Sequence, residues 1–218
     1  HFARLVDQPG SGEVQKAYLE KDLDFHQQTA DMAGVQRNLA KTIGLGVMYG
    51  MGYHKLAREL DMEPQEAKTM LQDFHAKVPF MKGMLEAVMN RANSKGVIRT
   101  LLGRKCRFDL WEPTQWGVHK ALPLNQAQTE YGMAIKRAYT YKALNRLIQG
   151  SAADQTKKAM VDVYEEMGII PLIQVHDELD CSVKSEIEAQ KIKKIMENCI
   201  ELEVPSKVDI NLGESWGA

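Results

Sequence analysis

Two groups of residues have types and spacing suited to chemistry. The first is a row of Arg37, Lys41, Leu45 and Tyr49, each four residues from the next. On a helix such a row winds slowly round one face, and from Arg37 to Tyr49 it rises roughly 18 Å. Cations stand at one end and a flat ring at the other. A guanidinium grips phosphate as a fork and an ammonium as a point charge. Gly44 and Gly46 strip side chains from between them, so something bulky could approach the backbone. The layout matches a nucleoside triphosphate: anionic tail, sugar, base. Two helical glycines cost about 1 kcal/mol each relative to alanine, which asks for a ligand or a packing reason. An ordinary amphipathic helix with surface cations and tight packing is the competing explanation.

The second group is His176, Asp177 and Glu178, set between apolar runs at 172–175 and 179–183. A tight turn on a hairpin is a rigid mount for metal-binding carboxylates. Hard oxygen ligands favour Mg²⁺ or Mn²⁺ over zinc. Two-metal phosphoryl transfer needs carboxylates from separate elements, one ion activating the attacking oxygen and the other steadying the leaving pyrophosphate. Polar residues are also usual at hairpin tips, so the triplet alone leaves both explanations open.

The elements that must position these groups follow from periodicity and punctuation. Helical patterns cover 13–33, 35–49, 53–61, 64–76 and 79–94, with Pro64 suited to a first helical turn and Gly50 and Gly52 to a helix end. The period then changes. Residues 97–108 suggest a short hairpin or looped ribbon, and 109–123 read as irregular. A long helical tract is expected over about 126–167, broken near Gly150. Short β runs at 169–175 and 179–183 flank the acidic tip, a charged helix covers 185–201, and 208–212 suits a last strand. A helical first half and a mixed second half predict two subdomains, with the boundary near 125.

The chain has 218 residues, 44% of them hydrophobic, and a net charge of −1. That composition supports a sizeable core and excludes global disorder. No apolar run approaches a membrane span, and no secretory leader opens the chain. Three scattered cysteines argue for a reducing compartment and against a disulfide framework or a zinc site. The charge is unevenly spread. Lys95, Arg99, Arg104, Lys105 and Arg107 crowd a segment free of acids. Lys136, Arg137, Lys142, Arg146, Lys157 and Lys158 face only Asp154. Each segment carries +5, leaving −11 for the remainder. Such separation suits a polyanion-binding face, with solvated helix surfaces as the plainer alternative.

Taken with their neighbours, the two groups resemble motifs of family A (Pol I-type) DNA polymerases. Arg37, Lys41, Gly46, Tyr49 and Gly50 match that family's Arg-x3-Lys-x3-aromatic-Gly-x2-Tyr-Gly fingers helix. The run Asp24-Phe25-His26-Gln27-Gln28-Thr29-Ala30 resembles its Asp-x-His-x-x-Thr-Ala, and Val175-His176-Asp177-Glu178 its second catalytic palm motif. Asn145 to Asp154 is similar to its Asn-x3-Gln-Gly-Thr/Ser-Ala-Ala-Asp. The resemblance covers most of 24–183 and implies an α+β, right-hand polymerase fold: a palm-to-fingers segment at 1–23, helical fingers at 24–125, and the C-terminal part of an antiparallel-sheet palm at 126–218. It implies template-directed DNA synthesis by two-metal nucleotidyl transfer, with two Mg²⁺ ions (or Mn²⁺) as cofactors. Primer-template DNA and deoxynucleoside triphosphates are the implied partners, and the cytoplasm of a bacterial or phage-infected cell the implied place. No motif names a processivity factor. His26, Arg37 and Lys41 would bind phosphates, Leu45 would lie by the sugar, and Tyr49 would pack near the nascent base pair. Asp177 would be a metal ligand, Glu178 a supporting carboxylate and His176 a neighbour of the primer terminus. Asn145 and Gln149, one helical turn apart, would sense minor-groove acceptors that lie alike in all base pairs. Arg104 and Lys105 would serve the duplex or the local structure.

Three departures qualify that match. Leu45 stands where the family has an aromatic residue, so sugar discrimination should differ. Tyr141 stands where the family often has an arginine, eight residues before Gln149. The family's other metal-binding aspartate, in an Asp-Tyr-Ser-like motif, is absent; Asp7, Asp22 and Asp24 are in other contexts. The chain also begins in mid-pattern at His1, so the expectation is a fragment that is inactive alone. Related single-subunit RNA polymerases and a non-catalytic nucleic-acid-binding remnant are the rivals. The run from Tyr141 to Gly150 leans towards a phage enzyme.

Overall fold

The computed structural model describes residues 1–20, 24–115, 117 and 119–216. They divide into two compact units: Phe2–Leu147, and Ile148–Ala218 together with His1.

The first unit begins with helices α1 (Phe2–Leu5), α2 (Ser11–Glu20), α3 (Phe25–Ala33), α4 (Arg37–Met48), α5 (Tyr53–Glu59), α6 (Pro64–Lys77) and α7 (Pro79–Lys95). The helical patterns are borne out as far as Lys95. The stretch expected at 13–33 is two helices, and Asp22 lies outside the described residues. Pro64 and Pro79 both open helices, where the missing N–H costs nothing. Ile43, Val47, Leu56, Phe74, Val78 and Met81 form a core under α4. A smaller cluster gathers Ala92, Ile98, Phe108, Ala143 and Leu147.

Beyond α7, strands β1 (Val97–Arg99) and β2 (Lys105–Arg107) make the expected hairpin. The segment read as irregular carries β3 (Leu110–Pro113) and β4 (Leu122–Pro123). These join β5 (Ile135–Arg137) in a three-stranded antiparallel sheet of order β4-β3-β5. The expected long helix from 126 is correspondingly divided. Helix α8 (Leu124–Tyr131) stops at Gly132, whose φ of +73° leaves helical space. β5 follows, then a 3₁₀ turn (Thr140–Lys142), then α9 (Ala143–Met167). Local sequence concealed β5 because its partner, β3, lies more than twenty residues upstream. α9 runs unbroken through Gly150: a glycine costs about 1 kcal/mol in a helix, too little to break one of 25 residues.

The second unit holds the body of α9, a hairpin of β6 (Ile173–Val175) and β7 (Glu178–Asp180), and α10 (Glu186–Asn198). α9 buries Ala159 and Val163, and α10 buries Ala189 and Ile192. The β runs are shorter than expected, and no strand forms at 208–212. There Val208 donates its N–H to the Glu197 carboxylate (3.0 Å) instead of to a ladder. No helix among the described residues is long and apolar enough to cross a membrane.

Candidate nucleotide-binding face and carboxylate hairpin

α4 presents the row read from the sequence. Arg37, Lys41 and Tyr49 are exposed and Leu45 is half-buried, while Ala40, Ile43, Gly44, Gly46 and Val47 point into the core. Both interior glycines are buried, and at Gly46 a neighbour leaves little room for a side chain. A Cβ on Gly44 would meet the Met81 methyl at 3.6 Å, and one on Gly46 would come within 2.9 Å of the Met51 thioether. Gly44, three residues from Lys41 and seven from Arg37, lies beside the cationic end of the row, but both glycines are buried, so, contrary to the expectation from sequence, the backbone at neither is open to a ligand here.

Asp24 organises the anionic end. It is the N-cap of α3, and its Oδ1 accepts from the backbone N–H groups of His26 (2.9 Å) and Gln27 (3.1 Å). Its Oδ2 accepts from Arg37, with Nε at 2.7 Å and Nη2 at 2.6 Å. One carboxylate thus ties the start of α3, with half-buried His26, to the start of α4. The Gln27 N–H and then the Arg37 guanidinium hold the Asp24 carboxyl below its usual range. Five N–H donors give the guanidinium capacity beyond this contact. Sequence reading missed the pairing, although an Asp before a helix start is an N-cap signal in itself.

Arg104 and Lys105 lie at the exposed end of the β1–β2 hairpin, where Arg99 donates to the Gly103 carbonyl at 2.9 Å. Arg137, read only as part of a basic segment, is structural. It donates to the carbonyls of Asn93 (3.2 Å) and Phe108 (2.8 Å) and stacks on Trp111, 4.5 Å from the ring centroid. Half-buried Asn145 and exposed Gln149 lie one turn apart on α9.

In the second unit His176 and Asp177 form the two-residue turn between β6 and β7, with Glu178 starting β7 opposite Val175. All three side chains are exposed. His176 has φ +54°, a backbone conformation that glycine adopts most readily. The position usually takes glycine, so a histidine there holds a sparsely populated conformation, a kind that gathers at functional sites. The Gln174 amide donates to the His176 carbonyl across the turn. Behind the tip, Asp180 Oδ2 is buried with no hydrogen-bond partner among the described residues. Among the described residues no three His, Cys, Asp or Glu side chains converge to enclose a metal ion. An exposed pair of carboxylates still suits Mg²⁺, which commonly takes one or two protein carboxylates and completes its shell with water and phosphate oxygens. The donors fit as part of a ligand set.

Residues 10–218 match the family model described as DNA polymerase family A. The DNA-directed DNA polymerase of Pseudomonas phage M6 is 37% identical over 232 residues, covering 91% of this chain and 32% of its own length. The thermostable DNA polymerase I of Thermus aquaticus is 32% identical over 208 residues, covering 88% and 23%. Among solved structures, the POL domain of Pol1 from M. smegmatis, in complex with DNA primer-template and dNTP, is similar with a TM-score of 0.75. It is 27% identical and matches 99% of this chain and 37% of that one. That likeness bears out the mixed helical and antiparallel-sheet polymerase fold. The chain spans 32% of the length of the phage relative and 23% of the Thermus one.

Proposed function

The chain belongs to DNA polymerase family A, and on that premise we propose that it supplies the nucleotide-gripping helix and one metal-ligand carboxylate of a template-directed DNA polymerase. The observation that carries this reading is the row along α4 and its C-cap, with exposed Arg37 and Lys41 at one end and exposed Tyr49 at the other, held on a buried core. Support comes from relatives named as DNA polymerases and from a structural neighbour solved with primer-template and dNTP.

In this reading His26, Arg37 and Lys41 hold the triphosphate, Leu45 borders the sugar, and Tyr49 packs by the nascent pair. Asn145 and Gln149 touch minor-groove acceptors common to all base pairs. Arg104 and Lys105 meet duplex phosphates, which position without reading sequence. The primer 3′-oxygen bonds to the α-phosphorus as the bond to pyrophosphate breaks. Lys41 acts on the charge that accumulates on the departing phosphates, a fixed cation aimed where charge develops. Asp177 serves as a metal ligand, Glu178 supports it, and His176 lies by the primer terminus. Mg²⁺ (or Mn²⁺), when bound, lowers the cost of ionising the attacking hydroxyl and neutralises the leaving group. Two-metal transfer needs a second carboxylate-bearing element, which this reading places outside these 218 residues.

The test is primer extension by this chain with and without the segment that carries the second aspartate in its source protein. The expected result is Mg²⁺-dependent extension only when that segment is present. Efficient extension by the 218 residues alone would refute the division of ligands. No extension by the completed protein would refute the polymerase reading.

A further inference from the structure

The motif match leaves one departure unexplained, Tyr141 in place of a basic residue, and the structure gives that position distinctive surroundings. The 3₁₀ turn before α9 alternates sharply. Thr140, Ala143 and Leu144 are buried, with the last two fully enclosed. Tyr139 and Tyr141 point outward, 38% and 45% exposed. Tyr139 reaches its place through a left-handed backbone at φ +60°, unusual for a bulky side chain. The Lys142 ammonium lies over both rings, 5.1 Å from the Tyr139 centroid and 5.6 Å from that of Tyr141. The main chain of Tyr141 abuts Gly50. A Cβ there would stand 2.9 Å from the Tyr141 carbonyl oxygen and 3.2 Å from its ring. The exposed ring therefore adjoins the end of α4, next in sequence to exposed Tyr49.

We propose that Tyr139, Tyr141 and Lys142 form a stacking station for the unpaired bases of a nucleic-acid strand, continuing the aromatic end of α4. This rests on the polymerase reading, in which that strand is the template beyond the nascent pair. Lysine covers part of each ring and orients it by cation–π attraction, while the remaining ring surface is open to solvent. Every base has a π-face, so aromatic stacking accepts any sequence, and a nearby cation attracts the strand's phosphates. An arginine at 141 would hold the strand by charge; tyrosine holds it by the bases. The buried residues on either side fix the turn before any ligand arrives, so little ordering cost remains to be met on binding.

The test uses the 218-residue chain, a single-stranded oligonucleotide with one 2-aminopurine, and a blunt duplex of the same sequence. Binding of the single strand should quench the 2-aminopurine through stacking. Tyr141→Leu, which keeps an apolar side chain against Gly50, should weaken single-strand affinity roughly 5- to 100-fold, the range for loss of one aromatic–base stack. Tyr141→Phe should bind and quench like the unsubstituted chain, and duplex affinity should be the same in all three. Equal behaviour of the Leu and Phe variants would show that the ring serves packing alone and overturn the station. So would single-strand binding without quenching, or none at all. Duplex binding in the same chain is judged separately: its loss tells against the polymerase reading, and its presence without single-strand binding tells against the station only. Should Tyr141→Leu unfold, Tyr139→Leu against Tyr139→Phe makes the same comparison.

Discussion

The face of α4 and the tip of the β6–β7 hairpin hold their functional groups by different means. α4 lies on a closed core: Ile43 and Val47 are almost fully buried, and the cations project from the opposite side of the same rigid rod. At the hairpin, Ile173 and Val175 are 41% and 37% exposed, and the turn is shaped by local contacts, the Gln174 amide and the left-handed His176 backbone. Packing places the helix residues, whereas turn chemistry places the carboxylate. Mutations should therefore act on fold and chemistry together in the first region and separately in the second.

The largest stability difference should come from truncating one apolar side chain in each region. Ile43→Ala should cost about 2–5 kcal/mol, the usual range for a buried isoleucine, and denaturant unfolding of the chain would measure it. Val175→Ala, at a partly exposed site, should cost about 0.5 kcal/mol or less. Equal costs would break the comparison.

A smaller effect sharpens the chemistry of the helix face. Leu45 offers neither donor nor acceptor to a triphosphate, so nothing in its side chain compensates when an incoming sugar lacks its 3′-hydroxyl. Leu45→Tyr in the completed enzyme should relax discrimination against dideoxynucleotides. A hydrogen bond to a charged partner contributes about 1.5–3 kcal/mol, or roughly ten- to a hundredfold in relative kcat/KM. Unchanged ratios would mean that Leu45 does not face the sugar.

The mildest test concerns the scaffold behind α4. His75 on α6 has its Nδ1 buried with no hydrogen-bond partner among the described residues. Burial first, then the nearby Lys82 charge, pushes its pKa below 6.5, partly opposed by Glu86. A histidine whose folded pKa is depressed binds more protons when unfolded. Its contribution is present above pH 6.5 and falls away as pH drops from 6.5 through the lower folded value. His75→Phe should flatten that acid slope in a melting-temperature series. A slope unchanged by the substitution would rule out His75 as its source.

These contrasts also mark what the sequence could disclose. The spacing of Arg37, Lys41, Leu45 and Tyr49 was legible because helical period is local, and so was the hairpin turn at His176 and Asp177. The surroundings of Gly44 and Gly46 were not: Met81, from α7, covers the first, and the Met51 thioether folds back on the second. β5 escaped because a short strand is defined by its partner, and β3 lies more than twenty residues upstream; β3 itself is paired on its other edge only by the two residues of β4. Arg137 read as one more cation in a basic segment, yet three distant groups hold it: the Asn93 carbonyl, the Phe108 carbonyl and the Trp111 ring.

The most direct test of the central claim, that the hairpin and the α4 row serve one nucleotidyl transfer, is single-turnover primer extension by the completed enzyme carrying Asp177→Asn or Lys41→Ala. Asp177→Asn removes charge and little volume, so extension should be lost while primer-template affinity stays near that of the unsubstituted enzyme. Lys41→Ala should lower the rate about 10²–10³-fold, as for loss of one group stabilising transition-state charge. Near-native extension by either variant would contradict the role assigned to that residue, and near-native extension by both would contradict the account.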